Sequence, residues 1–293
     1  MRHAKHDTEA EPEAEAPTKP EEPKPKAAEK AEADTGAGAT ATLPAVPPAD
    51  EEDDAVVRGA LVRRVLGVAW FQLAGYVRSG QVLFPLVLLA LIIAVQSGMP
   101  ASPGASFADA ASFALPVFAL ATHQLLGAEP DVQRAITAGN AGSRRTYLAS
   151  GLLAALALNL CFLLLSTASA LRGPLGAHVL VGGSVLTTIL VGLAVHLLTY
   201  LPGVALGALT TRAVTGDAPA EYVALVGGLL IAVVPGLAGG PASWIALPLF
   251  RLLRAANGHR LELAAPGIAL HVGIWTAVVT AAYLFVRLRR RSL

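Results

Sequence analysis

Six stretches of the chain are apolar and free of charge over about the length that a helix needs to cross a membrane. The hydrocarbon core of a bilayer takes about 20 consecutive apolar residues in helical conformation. The pattern therefore predicts an all-α integral membrane protein with six transmembrane helices. The expected spans cover about residues 79–97, 108–127, 146–170, 178–201, 222–239 and 265–286.

The fourth uncharged window is the longest and leaves the count open. It runs from Gly173 to Thr211 and has 39 residues, about the minimum for two spans. Pro174 and Pro202 are expected to frame a single span, because proline interrupts helices. Seven spans is the competing count. In the next window, Pro235 and the residues after it are expected to end the fifth span near residue 239.

The first 55 residues have the opposite pattern. They are rich in Ala, Glu, Pro and Lys, and through Asp54 they carry six basic and fifteen acidic residues, a net charge of −9. Such a sequence cannot bury enough apolar surface to offset its ordering entropy. It predicts a disordered acidic tail, which acts either as a solvated tether or as a docking segment for a partner. Residues 56–293 form the predicted membrane domain.

That domain carries sixteen arginines and six acidic residues, so its net charge is +10. With the N-terminus in the cytoplasm, twelve of them fall on the cytoplasmic side and four outside. The positive-inside rule thus predicts a multi-pass protein of the cell membrane with both termini in the cytoplasm. Since the arginines follow topology, they are no argument for nucleic-acid binding.

Three short segments outside the spans have distinct patterns. Val56–Val77 mixes arginines with apolar residues and ends in aromatics, which is typical of a helix at the membrane interface; an ordinary juxtamembrane anchor is the alternative. Pro130–Ala138 predicts a helix of about two turns on the cytoplasmic side; the alternative is a connecting loop whose arginines only satisfy the positive-inside rule. Pro241–Leu263 is apolar but broken by prolines, and it predicts a re-entrant segment on the outer side.

This arrangement resembles the membrane subunit of type-2 ABC exporters. In that family an interfacial helix precedes six spans, a coupling helix joins spans two and three, and a re-entrant pair lies between spans five and six. The local similarity is Ser143–Gly151, which reads SRRTYLASG. Family members often have Pro before the Ser-Arg pair and Lys after the Gly, whereas Gly142 and Leu152 stand here.

The resemblance implies a permease that forms the translocation path of an exporter. It also implies a separate ATP-binding cassette subunit as partner, and assembly as a homodimer or with a similar permease. The predicted contacts with the ATPase lie in and after the coupling segment. They are Asp131, Gln133, Arg134, Ile136, Arg144 and Arg145.

The predicted membrane domain lacks lysine, since every lysine lies at or before Lys30. A phosphate-binding P-loop needs a lysine, so any ATP hydrolysis is expected on another polypeptide. No catalytic motif, cofactor site or metal site is predicted. The lone Cys161 excludes an intrachain disulfide.

Ionisable residues within the spans are few, and they are costly in lipid. His196 and His271 are roughly mid-span and could line a translocation path, or they could bond between packed helices. Asp109 is expected at the edge of a span. No carboxylate is expected mid-span, which disfavours an ion-coupled carrier. The motif Gly203-x-x-x-Gly207 is typical of close helix contacts, including those of dimers.

Two further alternatives remain. Ser184 follows two glycines, and with His271 as base it resembles the rhomboid intramembrane proteases, although the final Gly of their motif is missing. A non-transport protein, such as an assembly or sensory anchor, is the main competing function. No charge pattern in the spans indicates which substrate the protein would transport.

Overall fold

The structure, a computed structural model, describes residues 51–98, 103–171, 185–238, 240–257 and 261–289. These residues are largely helical. The helices in chain order are α1 (Glu51–Arg78), α2 (Leu83–Ser97), α3 (Pro103–Gly127), α4 (Asp131–Asn140), α5 (Arg144–Ala170), α6 (Val185–Leu209), α7 (Arg212–Thr215), α8 (Ala218–Ala238), a 3-10 helix (Pro241–Trp244), α9 (Leu249–Asn257) and α10 (Leu261–Arg289).

Five of the described helices are long and apolar enough to cross a membrane, namely α3, α5, α6, α8 and α10. A sixth candidate exists only if α1 and α2 count together, and these two are bent by 72° at their junction. α2 alone is too short to cross, because its 15 residues extend ~22 Å and the hydrocarbon core is ~30 Å thick. The predicted all-α class is confirmed for the described residues, and five or six of their helices are long and apolar enough to cross a membrane.

Two boundaries predicted from the sequence need correction, namely the end of the fourth span at Pro202 and the end of the tail at residue 55. Pro202 lies inside α6, which continues to Leu209, and Pro235 lies inside α8, which ends close to the predicted point. Proline is tolerated in apolar helices because neighbouring helices and local adjustments satisfy the freed carbonyl. At the other boundary, α1 already begins at Glu51. The rest of the predicted tail lies outside the described residues, as does Ser184.

The core is centred on α3, whose small residues allow close helix approach. Ala110, Ala114 and Ala119 are fully buried. On α6, a Cβ atom at Gly203 would meet the Cβ of Phe118 at 2.6 Å, and one at Gly207 would meet the carbonyl oxygen of Ala119. The G-x-x-x-G motif therefore serves a contact within the chain, because both glycines face α3.

The first two helices are joined by a tight turn at Gly80, whose φ of +73° favours glycine. α1 packs against α5 and α3 with a narrow buried side that includes Ala69, Gln72 and Tyr76. The Tyr76 hydroxyl donates to Oε1 of Gln124 at 3.0 Å. The predicted interfacial helix is thus a real helix that is attached to the bundle along one side.

The helix connections that the structure describes lie at two opposite ends of the bundle. The α4 end contains α4, α7 and the C-terminus of α10, whereas the α9 end contains the 3-10 helix and α9. At the α9 end the chain folds back after α8, and the amide of Leu247 donates to the carbonyl of Ala232 at 2.8 Å. α9 has nine residues and extends ~14 Å, too short to cross. The segment predicted as re-entrant therefore consists of two short helices that return to the same end.

Candidate functional site

α4 is a short amphipathic helix with apolar residues on its outer side. Val132 is 76% exposed and Ile136 is 61% exposed, and residues four apart lie on one helix face. Arg134 and Thr137 are buried on the opposite side. The helix therefore presents an apolar outer surface, which we call the α4 outer face and define as Val132, Gln133 and Ile136. Val132 was missed by the sequence prediction, although its spacing from Ile136 was a signal.

Arg134, predicted as an ATPase contact, is instead bound inside the protein. Only 7% of it is exposed. Its Nη1 atom lies 3.0 Å from Oδ1 of Asp131, and Nη2 donates to the carbonyl oxygen of Glu129 at 3.0 Å. Arg212 approaches the other oxygen of Asp131 at 4.0 Å. Of the four predicted contacts on α4, Asp131, Gln133 and Ile136 are accessible, whereas Arg134 is buried and holds the helix in place.

Glu129 connects this region to the rest of the bundle. Its Oε2 atom accepts a hydrogen bond of 2.8 Å from the hydroxyl of Tyr147 on α5. Glu129 and Tyr147 also line one small cavity of about 10 Å³ with Gln72 of α1 and Arg287 of α10. We call Gln72, Glu129, Arg134, Tyr147 and Arg287 the Glu129 cluster.

In the Glu129 cluster, hydrogen bonds link Glu129 to Arg134 of α4 and to Tyr147 of α5, and Gln72 of α1 and Arg287 of α10 line the same cavity. Glu129, Arg134 and Arg287 are each less than a tenth exposed. Charges attract more strongly where water is excluded, and losing one member leaves another buried without its partner. A displacement of α4 that moves Glu129 is therefore transmitted to α5 or breaks the bond to Tyr147.

The Ser-Arg-Arg stretch begins α5. Ser143 caps the helix by accepting a 3.0 Å hydrogen bond from the amide of Thr146, and Gly142 before it has a φ of +75°. Arg144 is half-buried and engaged with other groups, whereas Arg145 is exposed. Cations are unfavourable at a helix N-terminus, so helix stability does not explain these two arginines.

His196 lies in the packed interior of the bundle. It is fully buried. Its Nδ1 atom lies 2.8 Å from the carbonyl oxygen of Gly192, and its Nε2 atom lies 3.1 Å from Oγ of Ser166 on α5. A carbonyl only accepts, so Nδ1 carries the proton and the serine donates to Nε2. These bonds favour the packing interpretation over a place on a translocation path.

His271 fastens the return segment at the α9 end. Its Nε2 atom donates to the carbonyl oxygen of Trp244 at 3.0 Å, and the two rings stack with centroids 5.1 Å apart. One turn along α10, Trp275 donates to the carbonyl of Ile245 at 2.9 Å. His271 therefore holds the 3-10 helix against α10.

Two buried polar contacts were missed by sequence reasoning. Asn159 of α5 donates to Oγ1 of Thr122 on α3 at 2.8 Å. Thr210, the residue after α6, lies 3.3 Å from Nδ1 of His123 on α3. Both contacts join segments far apart in the chain, so the residue types alone gave no partner. Over the described part of the chain, no three His, Cys, Asp or Glu side chains come together to hold a metal ion.

Comparison with known proteins does not assign a family. No protein-family model matches the chain, and neither a curated protein nor a solved structure gives a significant match.

Proposed function

We propose that the chain is the membrane-spanning permease subunit of an ABC-type exporter. In this proposal it forms the translocation path and pairs with a second copy or a similar permease. A separate ATPase subunit drives it from the cytoplasm. The protein lies in the cell membrane with both termini in the cytoplasm and the α4 end facing the ATPase.

The observation that supports this proposal most is the two-sided character of α4. Its outer face leaves Val132 and Ile136 exposed, one helical turn apart, where a partner could pack against them. Its inner face is linked to α5 through Arg134, Glu129 and Tyr147. A helix that is free on one side and rigidly attached on the other is suited to transmit a partner's movement.

The order of elements gives further support. A long first helix precedes the candidate spans, α4 lies between α3 and α5, and a return segment lies between α8 and α10. This is the order that the resemblance to type-2 ABC exporters implies. The absence of lysine after Lys30 agrees with ATP hydrolysis on a partner.

The test is copurification with an ATP-binding cassette subunit encoded near this chain. The tagged full-length chain and the ATPase are coexpressed, and the ATPase retained by the tag is measured. Ile136→Glu, which places a charge in the α4 outer face, is expected to reduce retention at least fivefold. Ala218→Glu, at an exposed position of the same end, is the matched control and is expected to leave retention unchanged.

The competing function, a non-transport assembly or sensory anchor, predicts different results. The chain would then copurify with no ATPase, and Ile136→Glu would have no effect on retention. Either result contradicts the exporter proposal.

A further inference from the structure

A groove of about 470 Å³ runs between α3 and α8, and α9 closes one end of it. Its volume lies within the range of small-molecule sites in proteins, ~300–1,000 Å³. The walls are apolar apart from two side chains of α3. The apolar residues that line it include Phe113, Pro116, Val226, Leu230, Val234 and Leu253.

The groove opens sideways, out of the bundle. Phe113, Leu230 and Val234 on its walls are each about half exposed. α8 as a whole is a peripheral helix, with 11% of its apolar window buried. If these helices cross a membrane, an apolar molecule dissolved in the bilayer reaches the groove without passing through water.

One carboxylate lies in this apolar groove. Asp109 lines the end near α9, and it has no hydrogen bond or ion pair with any described residue. Three residues further along α3, the Oγ atom of Ser112 lines the same groove and is buried without a hydrogen-bond partner. Ionisable residues in apolar helices are costly and mark functional sites by default.

The arginines of α9 do not neutralise this carboxylate. Arg251 and Arg254 are exposed and do not line the groove. The Nε atom of Arg254 donates instead to the carbonyl of Phe250 on its own helix at 3.1 Å. The negative charge of Asp109 is therefore available to a ligand.

The polar and apolar parts of the groove are separated along its length. Asp109 and Ser112 lie towards α9, and the apolar walls continue to Pro116 and Val226. From Asp109 to Pro116 the distance along α3 is ~10 Å. An occupant that fits both parts has a cationic group at one end and an apolar body of about that length.

We propose that the groove between α3 and α8 binds an amphipathic cation, with its charged group on Asp109 and Ser112 and its apolar body along α8. The site is independent of the exporter proposal, because it needs neither an ATPase nor transport. If the chain is an exporter, such cations are a candidate substrate class.

The experiment measures binding to the purified full-length chain in lipid nanodiscs, with empty nanodiscs as the blank. The probe is rhodamine 6G, a fluorescent lipophilic cation, and Nile red is the neutral comparison. Asp109→Asn is expected to weaken rhodamine 6G binding at least tenfold and to leave Nile red binding unchanged. Asp109→Glu, which keeps the charge, is expected to stay within threefold of the natural chain.

Two more variants separate charge from shape. Leu253→Trp reduces the volume of the groove at its α9 end without changing the charge there, and it is expected to weaken binding of both dyes. Asp217→Asn makes the same chemical change at an exposed position of the α4 end and is expected to change neither. Thermal unfolding of each variant shows that it is folded.

Four results would overturn the proposal. Rhodamine 6G binds no better than to empty nanodiscs, or Asp109→Asn binds it as the natural chain does. Alternatively, Asp109→Asn weakens both dyes equally, so that the charge has no specific role. A change of oligomeric state in Leu253→Trp with unchanged dye binding would show that a second copy covers the groove, and this too contradicts the proposal.

Discussion

The hydroxyl of Tyr147 donates a 2.8 Å hydrogen bond to Oε2 of Glu129. This bond ties the segment before α4 to the first turn of α5, eighteen positions further along the chain. Because the backbone of Glu129 also accepts from Arg134, one residue fixes both the position of α4 and its orientation.

Removing the Tyr147 hydroxyl is expected to destabilise the protein. Tyr147→Phe leaves Oε2 of a buried carboxylate without this donor, and such losses cost about 1–3 kcal/mol. Thermal unfolding of the purified chain measures the effect. Tyr222→Phe is the control, since that tyrosine is more than half exposed, and a shift as large as that of Tyr147→Phe would contradict the assigned role.

Loss of Arg134 is expected to loosen α4 without unfolding the bundle. Arg134→Ala removes the bonds to Asp131 and to the Glu129 carbonyl, so residues 131–140 should exchange their amide hydrogens faster. Hydrogen exchange of peptides from this region is the measurement. Arg145→Ala, at an exposed position, is expected to leave exchange in α4 unchanged; unchanged exchange in Arg134→Ala would mean that other contacts hold α4.

The contact between α3 and α6 has no room for an added methyl group at Gly203. At Gly203 a Cβ atom would lie 2.6 Å from the Cβ of Phe118 and 3.2 Å from the carbonyl oxygen of Leu115. Overpacking of this kind costs about 1–3 kcal/mol, so Gly203→Ala should lower the unfolding temperature. At Gly227 a Cβ meets nothing within 4 Å, and Gly227→Ala should be neutral or slightly stabilising.

The hydrogen bond between Asn159 and Thr122 is expected to show a measurable coupling. A double-mutant cycle with Asn159→Leu and Thr122→Val should give about 0.6 kcal/mol and at most ~1.7 kcal/mol, the range of interhelical bonds in membranes. The free energy of unfolding in detergent is measured for all four proteins. Replacing Thr122→Val by Thr167→Val in the cycle should give no coupling, because Oγ1 of Thr167 has no partner.

The predicted orientation is tested by labelling single cysteines in cells. In a Cys161→Ala background, Gln133→Cys is at the α4 end and Ala242→Cys is at the α9 end, both exposed. With the α4 end in the cytoplasm, an impermeant maleimide should label only Ala242→Cys in intact cells. After permeabilisation it should label both, and the reverse pattern in intact cells would invert the topology.

The sequence by itself determined the helical membrane class and most of the spans. Uncharged apolar windows are set by the cost of placing charge in hydrocarbon, which depends on composition and needs no tertiary contact. For the same reason α4 and the return segment were predictable as interruptions between spans. The short α2 and the passage of α6 through Pro202 were not, because helix ends in a bundle depend on neighbours that satisfy the backbone.

The tertiary structure alone decided what each side chain does. Arg134 is buried and Ile136 is exposed on different faces of the same short helix, and the packing of α4 on the bundle decides which face is buried. His196 and His271 likewise acquired partners on other elements. Asp109 became a candidate binding residue because α8 and α9 enclose it with apolar walls. The physical reason is that hydrogen bonds and charge interactions act over a few ångströms, and residues far apart in the chain come that close only through folding.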